Sequence, residues 1–139
     1  MAPGTCASLA ALPLAWAFRA EWGAAGLAAA VALVFVIGCW ASGRVATASG
    51  VRDPGSVVVD EIAGQWLSLV PAPLDPLVYA LAFLLFRLFD ICKPWPVGWA
   101  DRHVAGGFGI MLDDLLAAGC ALMVLATVRV IGGLIGVHL

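Results

Sequence analysis

The sequence predicts an all-α protein: a multihelical bundle of about five apolar helices, some of them short or re-entrant, that is integral to a membrane or tightly associated with one. Hydrophobic residues make up 63% of the 139 residues and charged residues only 12%, whereas about a quarter of an average soluble domain is charged. The mean hydropathy is +1.04. Glycine, alanine, leucine and valine dominate, and the alternating pattern of β-branched residues typical of strands is scarce. The length suits one domain over residues 1–139.

Five apolar segments predict the helices. The first, residues 6–18, and the third, residues 62–70, are short. The second, residues 24–41, and the fifth, residues 114–137, approach the roughly 20 residues that a helix needs to cross a bilayer. The fourth, residues 77–90, would be about 21 Å long at 1.5 Å per residue, so we expect that it does not cross alone.

The connections between the segments predict antiparallel hairpins. "RAEWG" (19–23) joins the first two segments, and "PAPLDP" (71–76), whose prolines cannot continue a helix, joins the third and fourth. The longer polar stretches are 42–60 and 91–113. If every segment reverses the chain, both polar stretches and the start of the first segment meet at one end of the bundle.

This end, which we call the charged pole, collects five of the seven lysines and arginines and seven of the nine acidic residues. The excess of lysine and arginine predicts that the pole faces the cytoplasm. The net charge of −2 offers no basic face for nucleic acid, so we expect no nucleic-acid partner. The residues of the pole are Arg44, Arg52, Asp53, Asp60, Glu61, Arg87, Asp90, Lys93, Asp101, Arg102, His103, Asp113 and Asp114.

Carboxylates from three stretches converge on the charged pole. "VVVDEIAGQW" contains Asp60 and Glu61, "RLFDICK" contains Asp90, and "DRHVAGGFGIMLDDLLAAG" contains Asp101, Asp113 and Asp114. Clustered carboxylates at an apolar surface repel one another and lose hydration, so a divalent cation, protons or the nearby basic residues must neutralise them. Oxygen ligands of this kind suit Mg²⁺ or Ca²⁺.

Basic residues at the same pole predict an anion site beside the carboxylates. If a cation neutralises the acids, Arg87, Lys93 and Arg102 are free to bind phosphate. Carboxylates that hold Mg²⁺ beside arginine and lysine are typical of phosphoryl transfer. "GGFG" (106–109), which we place just before a helix N-terminus, would bring backbone N–H groups near the phosphate.

Each feature taken alone also has a purely structural interpretation. Asp113 or Asp114 would cap the last helix, Asp60 would cap the third segment, and "GGFG" would be a flexible loop. Arg87 and Asp90 are three residues apart and would form an ion pair on one helical face. Their joint clustering in a chain so poor in charge favours a functional site.

Several known phosphatase patterns are absent from the sequence. A cysteine phosphatase needs five residues between Cys and Arg, whereas four separate Cys39 from Arg44, and Gly98 stands where Cys92 would need its Arg. A haloacid-type phosphatase needs Asp-x-Asp, and Ile62 occupies the second position. The motifs of histidine-dependent lipid phosphatases and of phosphatidyl-alcohol transferases are also missing.

Four stretches together resemble the phosphatidylglycerophosphatase A family: "APGTCAS", "GSVVVDEIAGQW", "FRLFDICKPWP" and "DRHVAGGFGIMLDDLLAAG". The resemblance runs from Ala2 to Gly119. It implies Mg²⁺-dependent hydrolysis of phosphatidylglycerophosphate to phosphatidylglycerol and phosphate, the last step of phosphatidylglycerol synthesis. It also implies a place in the bacterial inner membrane, with the lipid bilayer as a partner and the site facing the cytoplasm.

The resemblance implies a set of site residues, whose roles we assign as hypotheses. We expect Asp60, Asp90 and Asp114 to be catalytic, with Asp90 orienting Arg87 or activating water. The choice between direct attack by water and an aspartyl-phosphate stays open. The expected metal ligands are Asp60, Glu61, Asp113 and Asp114, and the expected phosphate contacts are Arg87, Lys93, Arg102, Gly106 and Gly107.

The chain departs from the family pattern at two places near its N-terminus. It begins directly before the "PGT" motif, without the usual glycine-rich lead, so we expect a truncated N-terminus and an incomplete loop on the phosphate side. Ala7 replaces the usual glycine before Ser8.

Two alternative interpretations remain at this stage. The first is a non-enzymatic membrane protein, either a cation pathway or an assembly subunit, although a pathway would spread its acids along the helices. The second keeps the enzyme but places a soluble-type helical bundle on the membrane surface. Assembly into a homo-oligomer is compatible with either.

Overall fold

The computed structural model describes residues 3–52 and 54–134, and within these ranges it consists of helices and turns without a strand. Asp53 of the charged pole and residues 135–137 of the fifth predicted segment lie outside the described residues. Because the described residues form helices and turns without a strand, the predicted all-α fold class is confirmed. The described helices are α1 (Pro3–Ser49), α2 (Val59–Leu69), α3 (Pro76–Cys92), α4 (Val97–His103) and α5 (Gly106–Leu134).

Helix α1 is a hairpin of two helices that meet at Gly23. This glycine has φ of 67° and ψ of −166°, a conformation that side chains with a Cβ rarely adopt. The beginning of the first arm and the later part of the second arm both lie against the start of α2. A Cβ at Gly4 would overlap Glu61, and one at Gly38 would lie 3.4 Å from Val59. The reversal predicted at "RAEWG" is confirmed, and both arms are longer than the predicted segments.

The proline-rich connection between α2 and α3 is also as predicted. Asp75 caps α3, since its Oδ1 accepts hydrogen bonds from the backbone N–H groups of Leu77 at 2.8 Å and Val78 at 3.0 Å. Pro76 occupies the first turn, where it needs no backbone donor. Trp66 of α2 donates from Nε1 to the Ala11 carbonyl at 2.9 Å, which ties α2 to the first arm of α1.

The region between α3 and α5 differs from the prediction. Helix α3 ends at Lys93, which is left-handed with φ of 43°, and the short helix α4 was not predicted. Helix α5 begins at Gly106, eight residues before the predicted start, so "GGFG" forms its first turn instead of a loop before it. Asp113 and Asp114 lie two turns inside α5 and do not cap it. A run rich in glycine was misinterpreted as a loop because its packing partner is distant in sequence.

That packing partner is the second arm of α1. A Cβ at Gly107 would overlap the backbone carbonyl of Cys39 and would lie 2.5 Å from the backbone nitrogen of Gly43. The two helices therefore touch through their backbones at this point, and only glycine permits the approach. The contact holds the beginning of α5 against the charged end of α1.

Among the described residues, two helical stretches contain an apolar window long enough to cross a membrane: Pro3–Ser49, which is broken at Gly23, and Gly106–Gly133. Only 17% of the most apolar window of the first and 33% of that of the second are buried, whereas a core helix of a soluble protein is mostly buried. Their exposed side chains include Leu33, Val36 and Ile37 on α1 and Met123 and Val130 on α5. These faces fit a lipid environment.

Replacing Gly107 with alanine tests the backbone contact between α1 and α5. We expect Gly107→Ala to lower the free energy of unfolding by about 1–3 kcal/mol, the usual cost of overpacking. Gly119→Ala in the same helix is the matched control, because a Cβ there meets nothing within 4 Å, and it should be neutral or stabilising by about 0.5–1 kcal/mol. Thermal unfolding in detergent measures both, and equal midpoints for the two variants would contradict the close approach.

Candidate active site

Three acidic side chains from two helices meet at the charged pole. Asp60 and Glu61 lie in the first turn of α2, and Asp114 projects from α5. One carboxylate oxygen from each of them lies within 4.8 Å of the others. Gly64 permits this meeting, because a Cβ there would lie only 3.0 Å from the Asp114 carbonyl and closer still to the Phe86 ring.

The three carboxylates lack hydrogen-bond partners where they are most buried. Asp60 is 8% exposed and Asp114 is 3% exposed. Within the described residues, Asp60 Oδ1, Glu61 Oε2 and Asp114 Oδ2 are buried atoms without a hydrogen bond. Buried polar atoms normally have partners, and a set of convergent carboxylate oxygens is the donor set that Mg²⁺ or Ca²⁺ prefers. The residues therefore fit a divalent cation.

Arg87 is held beside this cluster by residues of α1 and α3. Its guanidinium pairs with Asp90 one turn later at 2.5 Å. Its Nη2 and Nη1 also lie 3.4 Å from Thr5 Oγ1 and 3.5 Å from Ser8 Oγ, respectively. Ser8 is fully buried and donates to the Gly4 carbonyl at 2.9 Å. The sequence analysis assigned no role to Thr5 or Ser8, although two small polar residues three positions apart in an apolar helix indicate a polar contact on one face of that helix.

A cavity of about 190 Å³, which we call the carboxylate pocket, connects these groups. The N-terminal turn of α1 forms one wall, and Gly4 is required there because a Cβ would overlap Glu61 Oε1. The pocket contains most of the predicted site residues. Its lining is Pro3, Gly4, Gly55, Val57, Asp60, Glu61, Arg87, Asp90, Lys93, Asp113 and Asp114.

Lys93 forms a second charged group with two carboxylates. Its Nζ lies 2.6 Å from Asp101 Oδ1 and 2.6 Å from Asp113 Oδ2. Asp113 Oδ1 accepts from the Asp114 backbone N–H at 3.1 Å, so both Asp113 oxygens already have partners. The structure thus separates Asp113 from the three unpartnered carboxylates. Its role as a metal ligand stays a prediction, and the two partners that it already has do not favour that role.

Arg102 and Gly106 lie next to this site, not inside it. They line a cavity of about 270 Å³, which we call the arginine pocket. Gly107 lines neither pocket and packs against α1, so its predicted contact with phosphate also stays untested. The lining of the arginine pocket is Arg52, Asp101, Arg102, Val104, Gly106, Gly109, Ile110 and Asp113.

Burial and crowding alter the protonation of the acidic groups on α2. Burial first, and the neighbouring Glu61 carboxylate second, raise the pKa of Asp60 to about 9. Burial also raises the pKa of Glu61. Burial opposes the charge of Lys93, but the carboxylates of Asp101 and Asp113 raise its pKa above the ordinary value. Without a cation, the cluster therefore retains protons that exposed carboxylates would lose.

The stability of the metal-free protein should fall as the pH rises. The ordinary pKa of Asp60 is 3.8, so between roughly pH 4 and pH 9 the folded protein holds a proton that the unfolded chain has lost. The stabilisation is complete below this window and is lost across it. We expect the thermal midpoint in chelator to fall from pH 5 to pH 9, and Mg²⁺ at pH 9 to raise it by replacing the proton.

Two variants control this measurement. Asp60→Asn should fall less with pH, because its amide does not titrate, whereas Asp75→Asn at the opposite end should fall as the wild type does. The same pH dependence in wild type and Asp60→Asn would contradict the assignment.

Comparisons with known proteins confirm the resemblance. The family model described as phosphatidylglycerophosphatase A matches residues 1–129. Phosphatidylglycerophosphatase A of Escherichia coli K12 is 42% identical over 118 residues, which cover 83% of this chain and 67% of that protein. Phosphatidylglycerophosphatase A of Haemophilus influenzae is 39% identical over 129 residues, which cover 92% of this chain and 79% of that protein.

A third relative carries a different name. A protein of Bacteroides thetaiotaomicron, provisionally named a phosphatidylinositol-3-phosphatase, is 39% identical over 105 residues, which cover 73% of this chain and 65% of that protein. No solved structure matches the chain. The family model covers most of the chain, and the two relatives that share its name are about 40% identical to it, so the chain belongs to the phosphatidylglycerophosphatase A family.

Proposed function

We propose that this protein hydrolyses the terminal phosphate of phosphatidylglycerophosphate, giving phosphatidylglycerol and inorganic phosphate, the last step of phosphatidylglycerol synthesis. The observation that carries the proposal is the set of three unpartnered carboxylates within 4.8 Å of one another, with Arg87 and Lys93 in the same pocket. The names of the two phosphatidylglycerophosphatase A relatives support the substrate.

Asp60, Glu61 and Asp114 would hold Mg²⁺, which when bound neutralises phosphate charge and polarises the phosphoryl group. One buried oxygen of each has no hydrogen bond, so these atoms are available to the ion. Arg87 donates to non-bridging phosphate oxygens, whose charge grows as the bond to the glycerol oxygen breaks. The pocket is lined mainly by charged groups, and its small volume suits a phosphate group.

Asp90 acts as the residue that orients Arg87. The 2.5 Å ion pair holds the guanidinium on one side, and the hydroxyl groups of Thr5 and Ser8 hold it on another. Asp90 Oδ2 is occupied by the guanidinium and is not free to accept a proton from water. Of the two roles considered for Asp90, orienting Arg87 therefore agrees better with the geometry than activating water.

The active site faces the cytoplasm from the bacterial inner membrane in this proposal. The two long apolar helices fit a bilayer, and the charged pole carries the excess of lysine and arginine that favours the cytoplasmic side. The phosphate group of the lipid then reaches the carboxylate pocket from the level of the head groups.

Loss of one unpartnered carboxylate should abolish activity. We expect Asp114→Asn to lower phosphate release from phosphatidylglycerophosphate in detergent by at least about 100-fold, since a missing metal ligand or a misplaced phosphate removes several kcal/mol of transition-state stabilisation. Chelator should reduce wild-type activity similarly, and Mg²⁺ should restore it.

Asp75→Asn is the matched control, because asparagine caps a helix as well as aspartate does, and it should keep full activity. Phosphatidylinositol 3-phosphate serves as the competing substrate, given the name of the third relative. Faster release from that lipid would replace the proposed substrate. Release from neither lipid by folded wild type, with Mg²⁺ present, would end the proposal.

Replacing Arg87 with lysine tests its orientation. Lysine keeps the charge but cannot reach Asp90, Thr5 and Ser8 together, because it lacks the planar fork of donors. We expect Arg87→Lys to lower kcat/KM by about 10- to 100-fold while the thermal midpoint stays near that of the wild type. Full activity of this variant would show that the fork is not used.

A further inference from the structure

We propose that the arginine pocket binds the phosphodiester of the substrate while the terminal phosphate occupies the carboxylate pocket. The inference rests on the proposed function. Phosphatidylglycerophosphate carries two acidic groups joined by a glycerol, and only the terminal one is removed. An enzyme that recognises the whole head group needs a second anion site next to the reacting one, and the arginine pocket lies there.

The two pockets share a wall. Asp113 lines both of them. Lys93, which lines the carboxylate pocket, also contacts the lining of the arginine pocket. Its Nζ lies 2.6 Å from Asp113 Oδ2 and 2.6 Å from Asp101 Oδ1, and both aspartates line the arginine pocket. A molecule with two phosphates joined by a short linker therefore meets both pockets across one ion-paired group.

Their charges are opposite in sign. The carboxylate pocket has five acidic side chains and only Arg87 and Lys93 as cations, so it needs a cation before it accepts phosphate. In the arginine pocket both acidic side chains, Asp101 and Asp113, are in contact with Lys93. Lys93 and its two carboxylates together carry one negative charge, and Arg52 and Arg102 add two positive charges, so this pocket is positive overall and favours an anion without a metal.

The arginines are arranged for a ligand in different ways. Arg52 Nη2 donates to the backbone carbonyls of Arg102 at 2.8 Å and Val104 at 3.2 Å, which fixes its guanidinium at the end of α4. Among the described residues, none forms an ion pair or hydrogen bond with the side chain of Arg102. One cation is thus preorganised and the other is available. The volume of about 270 Å³ suits a head-group fragment and not an acyl chain.

This placement also revises the role expected for Arg102. Sequence reasoning grouped it with Arg87 and Lys93 as a contact of the reacting phosphate. In the structure it lines only the arginine pocket. It is therefore assigned to specificity for a diester-bearing lipid, and Arg52, to which no role was given, joins it.

The test measures binding and kinetics separately. Isothermal titration of the detergent-solubilised protein uses two probes, dihexanoyl phosphatidylglycerol, which carries only the diester, and inorganic phosphate with Mg²⁺. We expect Arg102→Gln to weaken binding of the lipid probe about tenfold, the effect of one lost charge-assisted hydrogen bond, and to leave phosphate binding unchanged. With phosphatidylglycerophosphate as substrate, KM should rise by a similar factor and kcat should stay within about twofold.

Two further variants make the result decisive. Arg52→Gln should behave like Arg102→Gln, with a lower thermal midpoint as well because it loses two hydrogen bonds. Arg44→Gln removes a cation of the same pole that lies over the Trp40 ring and lines neither of the two pockets, and it should match the wild type in both titrations.

Three outcomes would overturn the inference. Unchanged binding of the lipid probe by Arg102→Gln would show that the arginine pocket does not bind the phosphodiester. Equal weakening by Arg44→Gln would show general attraction of anionic lipid to the pole, and equal weakening of phosphate binding would return Arg102 to the reacting phosphate. Inactive wild type with intact, Arg102-dependent binding of the lipid probe would overturn the proposed function alone.

Discussion

The burial of three carboxylates at one end of an apolar bundle is the constraint on which the rest of this structure depends. Asp60, Glu61 and Asp114 lose hydration and gain no hydrogen bond for one oxygen each, an arrangement that costs several kcal/mol per uncompensated charge. Helices α2 and α5 enforce it, because Gly64 brings α2 close to the Asp114 backbone. Protons relieve the repulsion in part, as the raised pKa of Asp60 shows, and a divalent cation would relieve it more fully. Folding, protonation and cation binding are therefore linked at this site.

The cations of the site are held in place before any ligand arrives. Arg87 is fixed by Asp90 and by hydroxyl groups of α1, and Lys93 is fixed by Asp101 and Asp113. Fixed charges need little reorganisation during a reaction, which is why preorganised sites stabilise developing charge better than water does. The left-handed backbone of Lys93 lies where α3 ends and belongs to this arrangement. Such a conformation in a residue with a Cβ is uncommon, and such residues cluster at functional sites.

The apolar surface and the charged pole together suit a lipid with a charged head group. The long helices expose most of their apolar windows, while the charged groups remain at one end. Trp40 on α1, Trp95 in the turn before α4 and Trp99 on α4 are exposed, and tryptophan is common at the level of lipid head groups. A cation pathway would distribute its acids along the helices, and the gathering of acids beside arginine and lysine at one end favours phosphate chemistry instead.

The sequence by itself determined the helical class, the reversals near Gly23 and at 71–76, and the gathering of charge at one pole. These features depend on local hydrophobicity and turn chemistry, which neighbouring residues specify. Only the tertiary structure decided which charges meet. Asp113 and Asp114 are adjacent in sequence, yet one pairs with Lys93 and the other joins Asp60 and Glu61, because successive residues of a helix point about 100° apart. The contacts of Thr5 and Ser8 with Arg87 and the start of α5 at Gly106 could not be predicted from the sequence either. Each depends on a partner far away in the chain, which local patterns do not encode.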